Sequence, residues 1–164
     1  MENKFEDFVI SVNEKAKKNK NGFNPAVRIE DFRKNLQSLY NKIDNDWLKN
    51  DLEKGYIKTG FEKTSIFEQL LGTYTIDEKW IQIGSERLIF SPVGTMLAGT
   101  DARVDLLYRY KEIMIVHVKD TLSNPVKYDW KYISDSNGED SYTLLTKNSF
   151  QTLIMNLVNE TCNI

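Results

Sequence analysis

One cysteine, one histidine and three prolines occur in 164 residues. With Cys162 alone, the chain can form no internal disulfide and build no cysteine-based zinc site. A reducing compartment fits that usage. With His117 alone, no pair of histidines can hold a metal. No run approaches the roughly 20 apolar residues of a membrane-spanning helix. The opening MENKFEDFVISVNEK is acidic and amphipathic, unlike a secretory signal with its basic start and unbroken apolar run. An excess of one charge is missing as well: 22 basic residues face 24 acidic ones, for a net charge of −2. That balance argues against a whole-surface attraction to nucleic acid. The chain also lacks a G-x-S-x-G elbow, a G-x-G-x-x-G turn and a G-K-[ST] loop. These absences lead us to expect a soluble cytoplasmic protein with no cofactor, no metal and no membrane partner, and they disfavour nucleic acid without excluding a local basic patch.

What is present is a core. Forty per cent of the residues are hydrophobic, and a chain of this length forms a single domain over 1–164. The first part, 1–54, reads as helical. Phe5, Phe8, Val9, Val12 and Ala16 share one helical face over 3–18, with Lys15, Lys17 and Lys18 in its last turn. Asn19 to Pro25 breaks the pattern. A second helix is expected from Ala26 to about Glu53, stopped by Gly55. It carries Ile29, Phe32, Leu36, Leu39, Ile43 and Trp47 at three- and four-residue steps, close to a heptad seam. At 1.5 Å per residue this helix reaches about 40 Å. Either its end overhangs, or the first helix folds back along it as a hairpin.

From Tyr56 the period becomes two. Strands are expected at YIKTGF, TYTI, WIQIG and ERLIF, with Asp77-Glu78-Lys79 as a turn and Pro92 as a strand end. Residues Ser65 to Leu71 are ambiguous and could hold a helical turn. Gly94 and Gly99 bracket a short segment, TMLA. A strand is expected over Arg103 to Tyr110, where Val104, Leu106, Tyr108 and Tyr110 alternate with Arg103, Asp105 and Arg109, and Arg103–Asp105 is read as an exposed ion pair. Lys111-Glu112 is a candidate turn. IMIVHV (113–118) is apolar on both faces and should be a central strand. Tyr128, Trp130 and Tyr132 give an aromatic strand face. Residues 134–140 form a polar loop and YTLL a short strand. Thr146 caps a last helix with Phe150, Leu153, Ile154 and Leu157 as its buried stripe. The fold class is therefore α+β: an N-terminal helical hairpin, an antiparallel meander of about six to eight strands over 55–164, and a C-terminal helix packed on the sheet.

One constellation suggests chemistry. Asp105 on one strand and His117-Val118-Lys119 on the next resemble the acid, acid-x-lysine hairpin of metal-dependent nucleases. There, two carboxylates hold Mg²⁺ and the lysine orients water. Here His117 stands where the second carboxylate belongs, and imidazole suits Mg²⁺ poorly. The plain alternative for His117 is a hydrogen-bonded core or rim residue.

The segment IG-x-x-x-L-x-F-x-PVGT (83–95), followed by RVDL (103–106), resembles a loose group of small bacterial proteins. The resemblance implies the order helix, sheet, then a short helix after a Trp-containing strand. The group's pattern has glycine before Arg103, where this chain has Ala102. It carries no established activity, so no functional residue follows from it.

Two functions are consistent with these features. The first is a non-enzymatic accessory protein, of the immunity, antitoxin or defence-subunit kind. It would dock another protein, or a second copy of itself, through Leu36, Leu39, Ile43 and Trp47 on the long helix. The second is a divergent or inactive metal-dependent nuclease centred on Asp105, His117 and Lys119.

Overall fold

A computed structural model describes residues 4–96, 100–120, 124–125, 127–133 and 142–162. Helix α1 spans Lys4–Gly22 and α2 spans Pro25–Lys42. Between them, the Asn24 side chain accepts from the Ala26 and Val27 amides, and Pro25 opens α2 where no donor is needed. The expected single helix to Glu53 is instead three pieces. A π-helical turn, Ile43–Trp47, follows α2, and α3 spans Lys49–Glu53. The Leu48 amide reaches back five residues to the Ile43 carbonyl, the wider bond of a π turn. Gly55, at φ 76°, ends the run as expected.

Seven strands follow in chain order: β1 Ile57–Glu68, β2 Gly72–Ile83, β3 Glu86–Gly94, β4 Ala102–Tyr108, β5 Lys111–Asp120, β6 Lys127–Ile133 and β7 Tyr142–Leu144. Helix α4, Lys147–Cys162, closes the chain. Every strand pairs antiparallel with its chain neighbour, giving the order β1 to β7. The α+β meander expected from the sequence is the architecture found.

Several boundaries differ, each for a physical reason. Residues 77–79 are not a turn, because β1 and β2 pair along twelve residues each without interruption. Ser65 to Glu68 are strand for the same reason. Pro92 does not end β3: the register shifts between Pro92 and Gly94, and a bulge tolerates a residue with no amide donor. The β4–β5 turn is Arg109-Tyr110, since Tyr108 faces Lys111. Arg109 takes φ 53° there while its guanidinium bonds Glu86. The second half of TMLA and the loop at 134–140 lie outside the described residues.

One core joins α2, the π turn, the sheet and α4. Strand pairing fixes which side chains enter it. Leu88, Phe90, Val104, Leu106, Tyr108 and Ile115 lie on the helix-covered face and are fully or almost fully buried. The capping expectation for α4 holds: Thr146 Oγ1 accepts from the Ser149 amide, and Ser149 Oγ accepts from the Thr146 amide. Phe150, Leu153, Ile154 and Leu157 are all buried. The Gln151 amide donates to the Trp47 carbonyl at 2.7 Å, tying α4 to the π turn.

Helix α1 is different. Among its described side chains, none of the apolar stripe is covered by α2 or by the sheet. Phe5 is 72% exposed and Phe8 60%, and Val9, Ile10 and Val12 are also exposed.

Candidate functional site

The seam expected to dock a partner is inside the molecule. Leu36, Leu39, Ile43 and Trp47 are 0–6% exposed and belong to the chain's own core. The Trp47 ring lies 5.1 Å from Phe150 on α4. Their apolar faces are occupied by the chain's own core.

The acid–histidine–lysine grouping does not assemble. Asp105 faces Met114 across the β4–β5 ladder, whereas Ala102 faces His117. Side chains alternate along a strand, so Asp105 lies with Met114 and Val116 on the face opposite Val104 and Leu106. His117 and Lys119 point to the other side. Among the described residues, no three of His, Cys, Asp and Glu are placed to hold a metal ion.

Asp105 and His117 each have their own partners. Asp105 is nearly buried and takes two bonds from Arg103, at 2.8 and 3.0 Å. The pair is thus bidentate and half-sheltered rather than the loose exposed pair expected. Glu112 lies beside it, 3.5 Å from Arg103. The Asp105 carboxyl pushes Glu112 above the usual carboxylate range, first by hydrogen bonding and then by like charge. His117 Nδ1 meets Asp101 Oδ1 at 2.8 Å, and its ring packs on Tyr128 and Trp130 at 5.5 and 4.7 Å between centroids. It is the bonded, near-buried histidine that the plain reading expects. Beside Asp101, the Thr100 hydroxyl is buried without a partner among the described residues.

Two further polar constructions hold the fold and were not legible in the sequence. Glu68, at the tip of the β1–β2 hairpin, accepts from the Thr95 and Met96 amides at 2.7 and 2.8 Å, from Thr95 Oγ1, and from the Tyr74 hydroxyl. Arg28 on α2 bonds both Thr95 Oγ1 and the Thr95 carbonyl. Burial, then the bond to Glu68, raises the Tyr74 phenol far above its ordinary range. Gly94 makes the contact possible, since a Cβ there would sit 2.8 Å from Glu68 Oε1. The second construction is Lys79, which is fully buried. Its ammonium bonds Asp44 of the π turn at 2.7 Å and lies 4.4 Å from the centroid of Phe61. Asp44 also accepts from Thr59 Oγ1.

An open groove of about 960 Å³ beside α4 is lined by Ile113, Met114, Tyr132, Leu153 and Leu157. The ion pair Lys111–Glu160 stands at its wall.

What remains is α1. Phe5, Phe8, Val9 and Val12 stand at i, i+3, i+4 and i+7, the spacing of one helical face. In a packed domain such a stripe is covered; here it is exposed. The Phe5 and Phe8 rings lie 6.4 Å apart. Glu6 and Asp7 sit in the first turn, and Lys15, Lys17, Lys18 and Lys20 follow in the second half. The sequence marked this face, but spacing alone does not say whether a stripe meets its own sheet or another molecule. No helix among the described residues is long and apolar enough to cross a membrane. No protein-family model, curated protein or solved structure matches this chain.

Proposed function

We propose that this chain is a non-enzymatic, cytoplasmic accessory protein that binds another protein. It docks by laying α1 into an apolar groove of that partner. The observation that carries the reading is the exposed Phe5, Phe8, Val9 and Val12 stripe on a helix its own core leaves uncovered. Helix-in-groove recognition uses this set of anchors.

The groove chemistry follows from the helix. The anchors from Phe5 to Val12 span seven residues, or about 11 Å. The lysines beyond them call for acidic residues at the end of the groove that receives Lys15 to Lys20. A groove suits this face better than a second α1. A stable interface buries about 800 Å² per partner, more than one narrow stripe supplies against its twin. An anionic lipid surface suits it less well, because Glu6, Asp7 and Glu14 interrupt the basic charge.

A photo-crosslinking amino acid at position 8, introduced in cells of the source, tests this. One discrete protein adduct is expected. Phe5→Asp with Val12→Asp should abolish it and leave the melting temperature unchanged, since both positions are exposed. With the partner purified, loss of one phenylalanine anchor should weaken binding about ten- to a hundredfold. Absence of an adduct, an adduct indifferent to the two substitutions, or protection of α1 by lipid vesicles instead would overturn the proposal.

A further inference from the structure

Strand β1 ends the sheet. It pairs with β2 along one side, and among the described residues no main-chain hydrogen bond reaches its other side. It is twelve residues long, or about 40 Å. Edge strands in stable monomers are kept short or covered, because a free row of amides and carbonyls is a template for another strand. Lys58, Phe61, Glu62 and Lys63 along it are exposed.

We infer that β1 pairs antiparallel with β1 of a second copy, with Gly60 on the two-fold axis, to give one continuous sheet of two meanders. Charge and symmetry select this register. A two-fold antiparallel ladder keeps residues of like parity opposite each other, so the axis falls on a residue. With Gly60 opposite Gly60, Lys58 of each copy lies across from Glu62 of the other, twice over. Opposite charges directly across a ladder stabilise it, and like charges destabilise it. Moving the axis to the next residue on either side puts Lys58 across from Gly60 or Thr64 and loses both pairs. One further step, toward Glu62, sets Glu62 against itself.

The centre of that interface is apolar. The Trp80 indole lies against Gly60 so closely that a Cβ there would come within 2.4 Å of the ring. The Arg87 guanidinium also stacks on this ring, 4.5 Å from the Trp80 centroid. Arg87 also lies 3.7 Å from Glu62, a loose exposed contact that leaves the carboxylate able to take a lysine. Two Trp80 rings would thus flank the axis on the open face of the joined sheet. Helix α1 takes no part in this pairing.

Light scattering or sedimentation of the purified chain tests the inference. Wild type should show twice the 19.1 kDa of one chain. Lys58→Glu and Glu62→Lys should each weaken the dimer about tenfold or more, since each replaces two attractive pairs by two repulsive ones. The double swap in one chain should restore it. Both positions are exposed, so circular dichroism should confirm that every variant is folded. A wild-type monomer at millimolar concentration overturns the inference. So does a dimer indifferent to both single swaps, or one abolished by Phe8→Asp alone, which would assign self-association to α1. Dimer loss that the double swap does not repair overturns the register.

Discussion

Asp44→Ala isolates the least expected contact in the molecule. Lys79 is fully buried and its ammonium bonds one carboxylate, Asp44, at 2.7 Å. Removing that carboxylate strands a charge in the core. Breaking a buried pair from one side costs about 3–5 kcal/mol. The Asp44 side chain is 26% exposed, so water can partly replace it, and the lower end, about 3 kcal/mol, is expected. Urea denaturation followed by circular dichroism measures the loss. The pH dependence supplies a second check. Burial, the largest influence, lowers the Lys79 pKa below the ordinary lysine value, and Asp44 opposes it. The unfolded chain keeps this proton up to about pH 10.4, whereas the folded chain releases it earlier. Between those two values the unfolded state binds more protons, so stability rises with pH. Without Asp44 the folded pKa falls further and the window widens downward. The deficit of Asp44→Ala should therefore shrink as pH is raised toward 10. Adding Lys79→Met should recover most of the loss, since a well-packed apolar side chain can replace a buried ion. A deficit below about 1 kcal/mol, or one flat with pH, would refute the claim that the pair is buried and coupled.

Three other outcomes follow from the same reasoning. Leu36→Asp with Ile43→Asp should leave no cooperative melt, because both residues are core; a folded double variant with altered binding would return them to the surface. Glu68→Ala should cost about 1–3 kcal/mol by orphaning the Thr95 and Met96 amides, and hydrogen exchange should quicken at those two amides first. Thr146→Ala should cost about 1 kcal/mol through the lost cap of α4, read as a lower urea midpoint with an unchanged slope; an unchanged midpoint would mean that the cap contributes nothing.

The sequence carried its elements well where a single period ran without competition. Val104, Leu106 and Tyr108, and the stripe Phe150, Leu153, Ile154 and Leu157, were legible because alternation and helical spacing each point one way. Thr146 was legible because a cap acts on its own next few residues. The misreadings share another cause. Asp77-Glu78-Lys79 looks like a turn because three charged residues rarely enter a core. Only the arrival of Asp44, thirty-five positions earlier, makes Lys79 admissible there. Pro92 looks like a strand end unless a bulge is known to sit beside it. Asp105 and His117 look like one site until strand pairing assigns them to opposite faces.

Local chemistry, then, determined by itself the α+β class, an antiparallel meander of about six to eight strands with its closing helix, and two amphipathic N-terminal helices. Each is a property of residues within a dozen positions of one another. Tertiary structure alone decided which amphipathic stripe was used up. Leu36, Leu39, Ile43 and Trp47 meet the sheet and α4, while Phe5, Phe8, Val9 and Val12 stay exposed. The two stripes have the same spacing and similar side chains. A helix cannot encode which surface will reach it first, because that depends on where the rest of the chain has been placed.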